Sequence, residues 1–140
     1  MTTDSSSPTA HTRHGDLTLD QIAELQPGMA RLMVEISERF TILHYAAKAG
    51  NWEMARHQFG EMRKAMQMAG VTRPKYKESL EGFINEKLKP IEEAIRAKDW
   101  SAFEAAFNDA AGAANEMHGE LGYAYIVWQL PDAPPQHLKL

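Results

Sequence analysis

Ala46-Ala47-Lys48-Ala49-Gly50-Asn51-Trp52-Glu53-Met54-Ala55 decides the fold, because it ends one helix and starts the next with almost no residue between them. Gly50 suits the left-handed position that closes a helix, and Asn51 is a preferred N-cap whose side chain accepts from the amides of the following turn. A link this short leaves only antiparallel placement for the two helices. Upstream, Pro27 is well tolerated at a helix start, and from Met29 the positions Met33, Ile36, Phe40, Leu43 and Ala47 follow helical spacing. Downstream, Ala55, Phe59, Met62, Met66 and Ala69 form one stripe, which Gly70 is expected to end.

The same pattern continues toward the C-terminus. Pro74 opens a third segment in which Leu80, Ile84, Leu88, Ile91 and Ile95 keep the helical period. Pro90 removes one ladder hydrogen bond there and crowds the carbonyl one turn earlier, so a kink or a split near Lys89 is expected. Ser101 with Glu104 has the form of a capping box for a fourth helix, whose stripe is Phe103, Phe107, Ala110, Ala114, Met117/His118 and Leu121. Thr18-Leu19-Asp20-Gln21 is another such box and opens a short helix to Leu25. Residues 1–16, polar and carrying Pro8 and Gly15, are expected to be a disordered arm. Residues 17–130 form a single helical domain, with Tyr123 to Leu130 extended and packed on the helices, and residues 131–140 a Pro-rich tail. The expected fold is all-α, an antiparallel up-down-up-down four-helix bundle.

Composition narrows the function. At 140 residues the chain can bury a real core, and its net charge of -4 comes from interspersed signs that offer no field to nucleic acid or to an anionic membrane. No apolar run is long enough to span a bilayer, and the N-terminus has no apolar segment of the export type, so a cytoplasmic protein is expected. The absence of cysteine excludes disulfides, thiolate metal sites and thioether-linked cofactors. No Gly-rich phosphate loop, nucleophile elbow or paired catalytic carboxylates appear. No catalytic residue is therefore assigned, and a non-enzymatic protein is expected.

The segments Ala46 to Ala55, Lys89-Pro90-Ile91 with Ala94-Ile95 and Lys98-Asp99 before Phe103, Asn115-Glu116-Met117-His118, and Tyr125-Ile126-Val127 with Pro131 and Pro134-Pro135 come in a suggestive order. Over residues 28 to 135 they resemble small bacterial four-helix c-type cytochrome-like domains, of the architecture also seen in cytochromes c-prime. The resemblance implies a Cys-x-x-Cys-His haem-attachment motif on the fourth helix. Here the motif is degenerate: Ala114 and Met117 stand where the thiols would be, and His118 alone keeps its place. The resemblance thus implies a bundle that has lost covalent haem attachment, with His118, Met117 and Ala114 as the remnant of a haem site.

His118 shares its stripe with Ala110, Ala111 and Ala114, whose small side chains either leave room for a flat ring or permit close helix packing. Met117 is a soft thioether or a gap-filling side chain. His44 and His57 lie on earlier helices, and a metal site is assigned to His118 with His44, a donor set suited to zinc, iron or copper. Glu53 and His57 are a local surface pair, and the Glu-x-x-His repeats of di-iron bundles are absent. The other methionines read as core, Trp52 and Trp100 as seals at helix ends, and Arg63, Lys64, Arg73, Lys75 and Lys77 as a solvated loop region. The leading expectation is a homodimer acting as a ligand-binding or protein-interaction module, with a small-molecule ligand, no nucleic acid and no membrane among its partners. The alternatives are non-covalent haem or metal binding at His118, and a small enzyme with His118 as base near Tyr123 or Glu120.

Overall fold

A computed structural model describes residues 8–140, and the first of them pair as a hairpin where polar composition predicts a disordered arm. Strands β1 (Thr9–Thr12) and β2 (Gly15–Thr18) run antiparallel, with Thr9 opposite Thr18 and Thr12 opposite Gly15. The cause is local. Gly15 adopts φ +127°, Thr12 Oγ1 donates to the Gly15 carbonyl at 2.7 Å, and His11 Nδ1 lies 2.8 Å from Asp16 Oδ1. β1 is exposed throughout, so cross-strand pairing rather than burial holds the hairpin. Residues 1–7 of the expected arm lie outside the described residues.

Thr18 caps α1 (Leu19–Leu25) with both halves of the capping box: the Gln21 amide donates to Thr18 Oγ1 at 3.1 Å and the Thr18 amide to Gln21 Oε1 at 2.9 Å. Helix α2 (Met29–Lys48) then runs to the Gly50 turn, where Gly50 takes φ +76° and the Asn51 side chain accepts from the Met54 amide at 3.1 Å to open α3 (Trp52–Thr72). The apolar spacing read along both helices becomes a shared interface, the most extensive between any two elements described. Gly70 does not end α3. It is buried two residues before the last helical residue, and a Cβ there would come within 3.4 Å of Lys77 Cα, so the glycine admits the next segment against α3.

A single 3-10 turn at Pro74–Tyr76 leads into α4 (Lys77–Phe83). The proline in the third segment neither stops the helix nor simply breaks it. Residues Ile84–Leu88 form a π turn, and α5 (Lys89–Ala97) continues from it with helical dihedrals retained at Leu88 (φ -82°, ψ -29°) and Lys89 (φ -57°, ψ -45°). The wider turn falls where the Pro90 ring would crowd a carbonyl and where its missing N–H leaves a gap in the ladder. Lys98, left-handed at φ +53°, closes α5. Asp99 then caps α6 (Trp100–Glu120) by accepting from the Ala102 amide at 3.0 Å, so the expected Ser101 and Glu104 box is replaced and Ser101 already lies in the helix. The position at which α5 terminates sets this cap, because Asp99 is the first extended residue after it.

The described residues are mostly helical, with one small two-stranded sheet. α2 packs on α3 and α6, α3 on α4 and α5, and α5 on α6. Phe103, Phe107, Leu43, Met62, Leu88 and Ile91 are the largest fully buried side chains and come from every long helical segment. Among the described residues no helix is long and apolar enough to cross a membrane.

Candidate functional site

Asn115 and His118 stand one turn apart on α6, and both turn toward the segment beyond it. The Asn115 side chain clamps Trp128 from both sides of the peptide: its Nδ2 donates to the Trp128 carbonyl at 3.1 Å, and the Trp128 amide donates to its Oδ1 at 2.7 Å. His118 Nδ1 lies 3.0 Å from the carbonyl oxygen of Ile126. A carbonyl only accepts, so the imidazole proton sits on Nδ1 and a neutral ring carries its lone pair on Nε2. Among the described residues Nε2 has no hydrogen-bond partner and is not enclosed.

These clamps set the Trp128 indole into the seam between α2 and α6. Its ring lies 5.0 Å from that of Phe40 and 6.0 Å from that of Phe107, and its Nε1–H donates to Ser37 Oγ at 2.9 Å. Phe40 and Phe107 themselves stack with centroids 4.0 Å apart. Further on, the Tyr45 hydroxyl donates to the Pro131 carbonyl, and His137 lies 3.7 Å from Glu38. The residues after α6 thus form a strap over the seam, while Tyr125 and Val127 face solvent at 79 % and 70 % exposure. Ala114 and Met117, the positions of the absent thiols, are half-buried against the core.

His44 stands in a different place. It is 7 % exposed, its ring lies 4.8 Å from Phe107, 5.0 Å from Tyr45 and 5.5 Å from Trp100, and its Nδ1 is enclosed without a partner. Burial, reinforced by the nearby Lys48 charge and opposed by Glu104, pushes the imidazole below its ordinary pKa of 6.5. His118 is eleven residues beyond Phe107 on α6, about 16 Å of helical rise. The structure therefore does not bring His44 and His118 together, and His57 is exposed on α3. No group of three or more His, Cys, Asp or Glu side chains placed to hold a metal occurs among the described residues. The Tyr123 hydroxyl lies 3.3 Å from that of Tyr76, and Glu120 is exposed.

A cleft lies elsewhere, between α3 and α5, with a volume of about 790 Å³. Trp52, Phe59 and Ile95 supply its apolar surface, and Arg56, Arg63, Arg96 and Lys98 supply cations. Glu92 lies 3.1 Å from Arg63 and 3.7 Å from Arg96, and the Arg63 guanidinium sits 5.4 Å from the Phe59 ring centre. Sequence reading missed this cleft, since it treats Arg63 as part of a solvated loop region and gives Arg56, Arg96 and Lys98 no role. The available signal was the pairing of basic residues on two helices that the short links bring near each other. A smaller cleft of about 360 Å³ lies against Arg73 at the α1–α2 link. Neither cleft is lined by Ala110, Ala114 or His118. No family model, curated protein or solved structure matches the chain.

Proposed function

We propose that this chain is a non-enzymatic four-helix bundle of antiparallel up-down-up-down topology, of cytochrome c-prime-like architecture, that has lost covalent haem attachment and acts as a ligand-binding or protein-interaction module. One observation carries the reading: the polar side chains at the end of α6, Asn115 and His118, hold the backbone of the chain's own strap at Trp128 and Ile126. With no cysteine in the sequence, the segment that would bear haem in the cytochrome-like pattern serves here as a fastener. The cleft between α3 and α5 is then the place for a ligand, because it combines apolar surface with a few charged groups.

The test is a haem titration of the purified protein. The expected spectrum is that of free haem, and His118→Ala should instead loosen the strap, read as faster amide exchange at Trp128. A second reading, non-covalent haem or metal at His118, is favoured by the Nδ1–H to Ile126 contact, since a backbone acceptor on one ring nitrogen orients the other as a ligand. His118 Nε2 would then be the nitrogen that holds the metal. A sharp Soret band that disappears in His118→Ala would establish that second reading in place of the first.

A further inference from the structure

We infer that the cleft between α3 and α5 is a binding site for an aromatic oxyanion, a carboxylate or phosphate carried on a flat apolar body. The inference rests on the ligand-binding reading above and adds the chemistry of the ligand. Four cationic side chains line the cleft against two acidic ones, Glu53 and Glu92, in a chain whose net charge is -4. The local sign is opposite to the global one, which concentrates anions at this face.

Two of the four cations are held by one carboxylate and two are not. Glu92 is shared by Arg63 and Arg96, and among the described residues Arg56 and Lys98 have no carboxylate within ion-pair distance. They stand on opposite walls, Arg56 on the second turn of α3 and Lys98 at the end of α5. The left-handed backbone at Lys98, whose amide is bonded back to Ala94 and Ile95, fixes the point from which its side chain leaves the end of α5. An oxyanion between the two walls meets a planar fork on one side and a point charge on the other, a pairing well suited to carboxylate or phosphate oxygens.

The apolar part has its own complement. Phe59 is 3 % exposed and Ile95 6 %, so they give a firm floor, while Trp52 is half-buried with its ring 6.1 Å from Phe103. Gly60 keeps the α3 wall low, since a Cβ there would meet no atom within 4 Å. A ring lying over this floor leaves its charged substituent at the rim.

The experiment is a set of amide-shift titrations of the full chain with benzoate, phenyl phosphate, benzyl alcohol and benzylammonium. Benzoate and phenyl phosphate should give saturable shifts at residues 51–63 and 92–98 that weaken with added salt, and their relative affinities separate the carboxylate from the phosphate class. Benzylammonium should give none there. The double variant Arg56→Gln/Lys98→Gln should bind about tenfold or more weakly, the loss of charge-assisted hydrogen bonds, with an unchanged melting temperature. Equal saturation by all four probes would overturn the oxyanion inference and leave ligand binding intact. Silence from both oxyanions at these amides, or full affinity in the double variant, would overturn it as well, while the haem titration decides the cytochrome-like reading separately.

Discussion

The seam between α2 and α6 is closed by the chain's own C-terminal strap, whereas the seam between α3 and α5 is left open. Both have buried rings at their base: Phe40 and Phe107 in one, Phe59 in the other. The difference lies in the chain that continues from each helix. α6 is continued by a segment that can lay Trp128 into the adjoining groove, and a tethered side chain acts at high effective concentration without the entropy of bringing in a separate molecule. Among the described residues no such segment reaches the other seam, whose rim carries Arg56, Arg96 and Lys98 instead. One groove is filled by the chain's own strap, and the other is open among the described residues.

The comparison is broken most severely at the ring shared by the closed seam. Phe107 is 1 % exposed and touches Phe40, Phe103, His44 and Trp128, so Phe107→Ala should cost about 3–5 kcal/mol, measured by urea unfolding. Asn115→Ala removes both hydrogen bonds of the clamp and should cost about 1–3 kcal/mol, accompanied by proteolytic cleavage of the strap under native conditions.

Acidification probes the inner end of the same seam. Folded His44 holds a proton less tightly than it does unfolded, so below pH 6.5 the unfolded chain protonates first and stability falls as pH drops toward the lowered folded pKa. Above 6.5 this contribution is fully retained. His44→Phe should remove that part of the pH dependence, which unfolding curves between pH 5 and 7 will detect; a variant with the same slope as the parent would contradict the assignment. Changes at the open seam should be smaller. Gly60→Ala should raise stability by about 0.5–1 kcal/mol, because the glycine lies inside a helix and a methyl group meets nothing. Arg56→Gln should stay within about 0.5 kcal/mol of the parent in thermal unfolding, since the side chain is exposed.

Much of the helical layout is legible in short stretches of sequence. The Thr18–Gln21 box and the Gly50–Asn51 turn each involve neighbours within one helical turn, and both occur where the residues predict them. Errors arise where one element depends on another. Ser101 loses its cap to Asp99 because α5 ends at Lys98, and Gly70 stays helical because α4 must pass close to it. The hairpin at Thr9–Thr18 is missed for another reason: composition measures burial, and this pair of strands is held by register and by the Gly15 turn.

The candidate sites divide in the same way. The sequence by itself determined that no thiol can hold a cofactor and that His118 falls on the fourth helix with Ala110, Ala111 and Ala114, because residue identity and the helical period require no distant contact. Only the tertiary structure decided what those side chains do. Asn115 meets Trp128 across a chain reversal, His44 of α2 packs at Phe107, eleven residues before His118 on α6, and the cations of α3 meet those of α5 across a cleft. Each depends on how far apart the packed helices stand and which way the backbone returns, quantities that a local pattern of side chains does not encode.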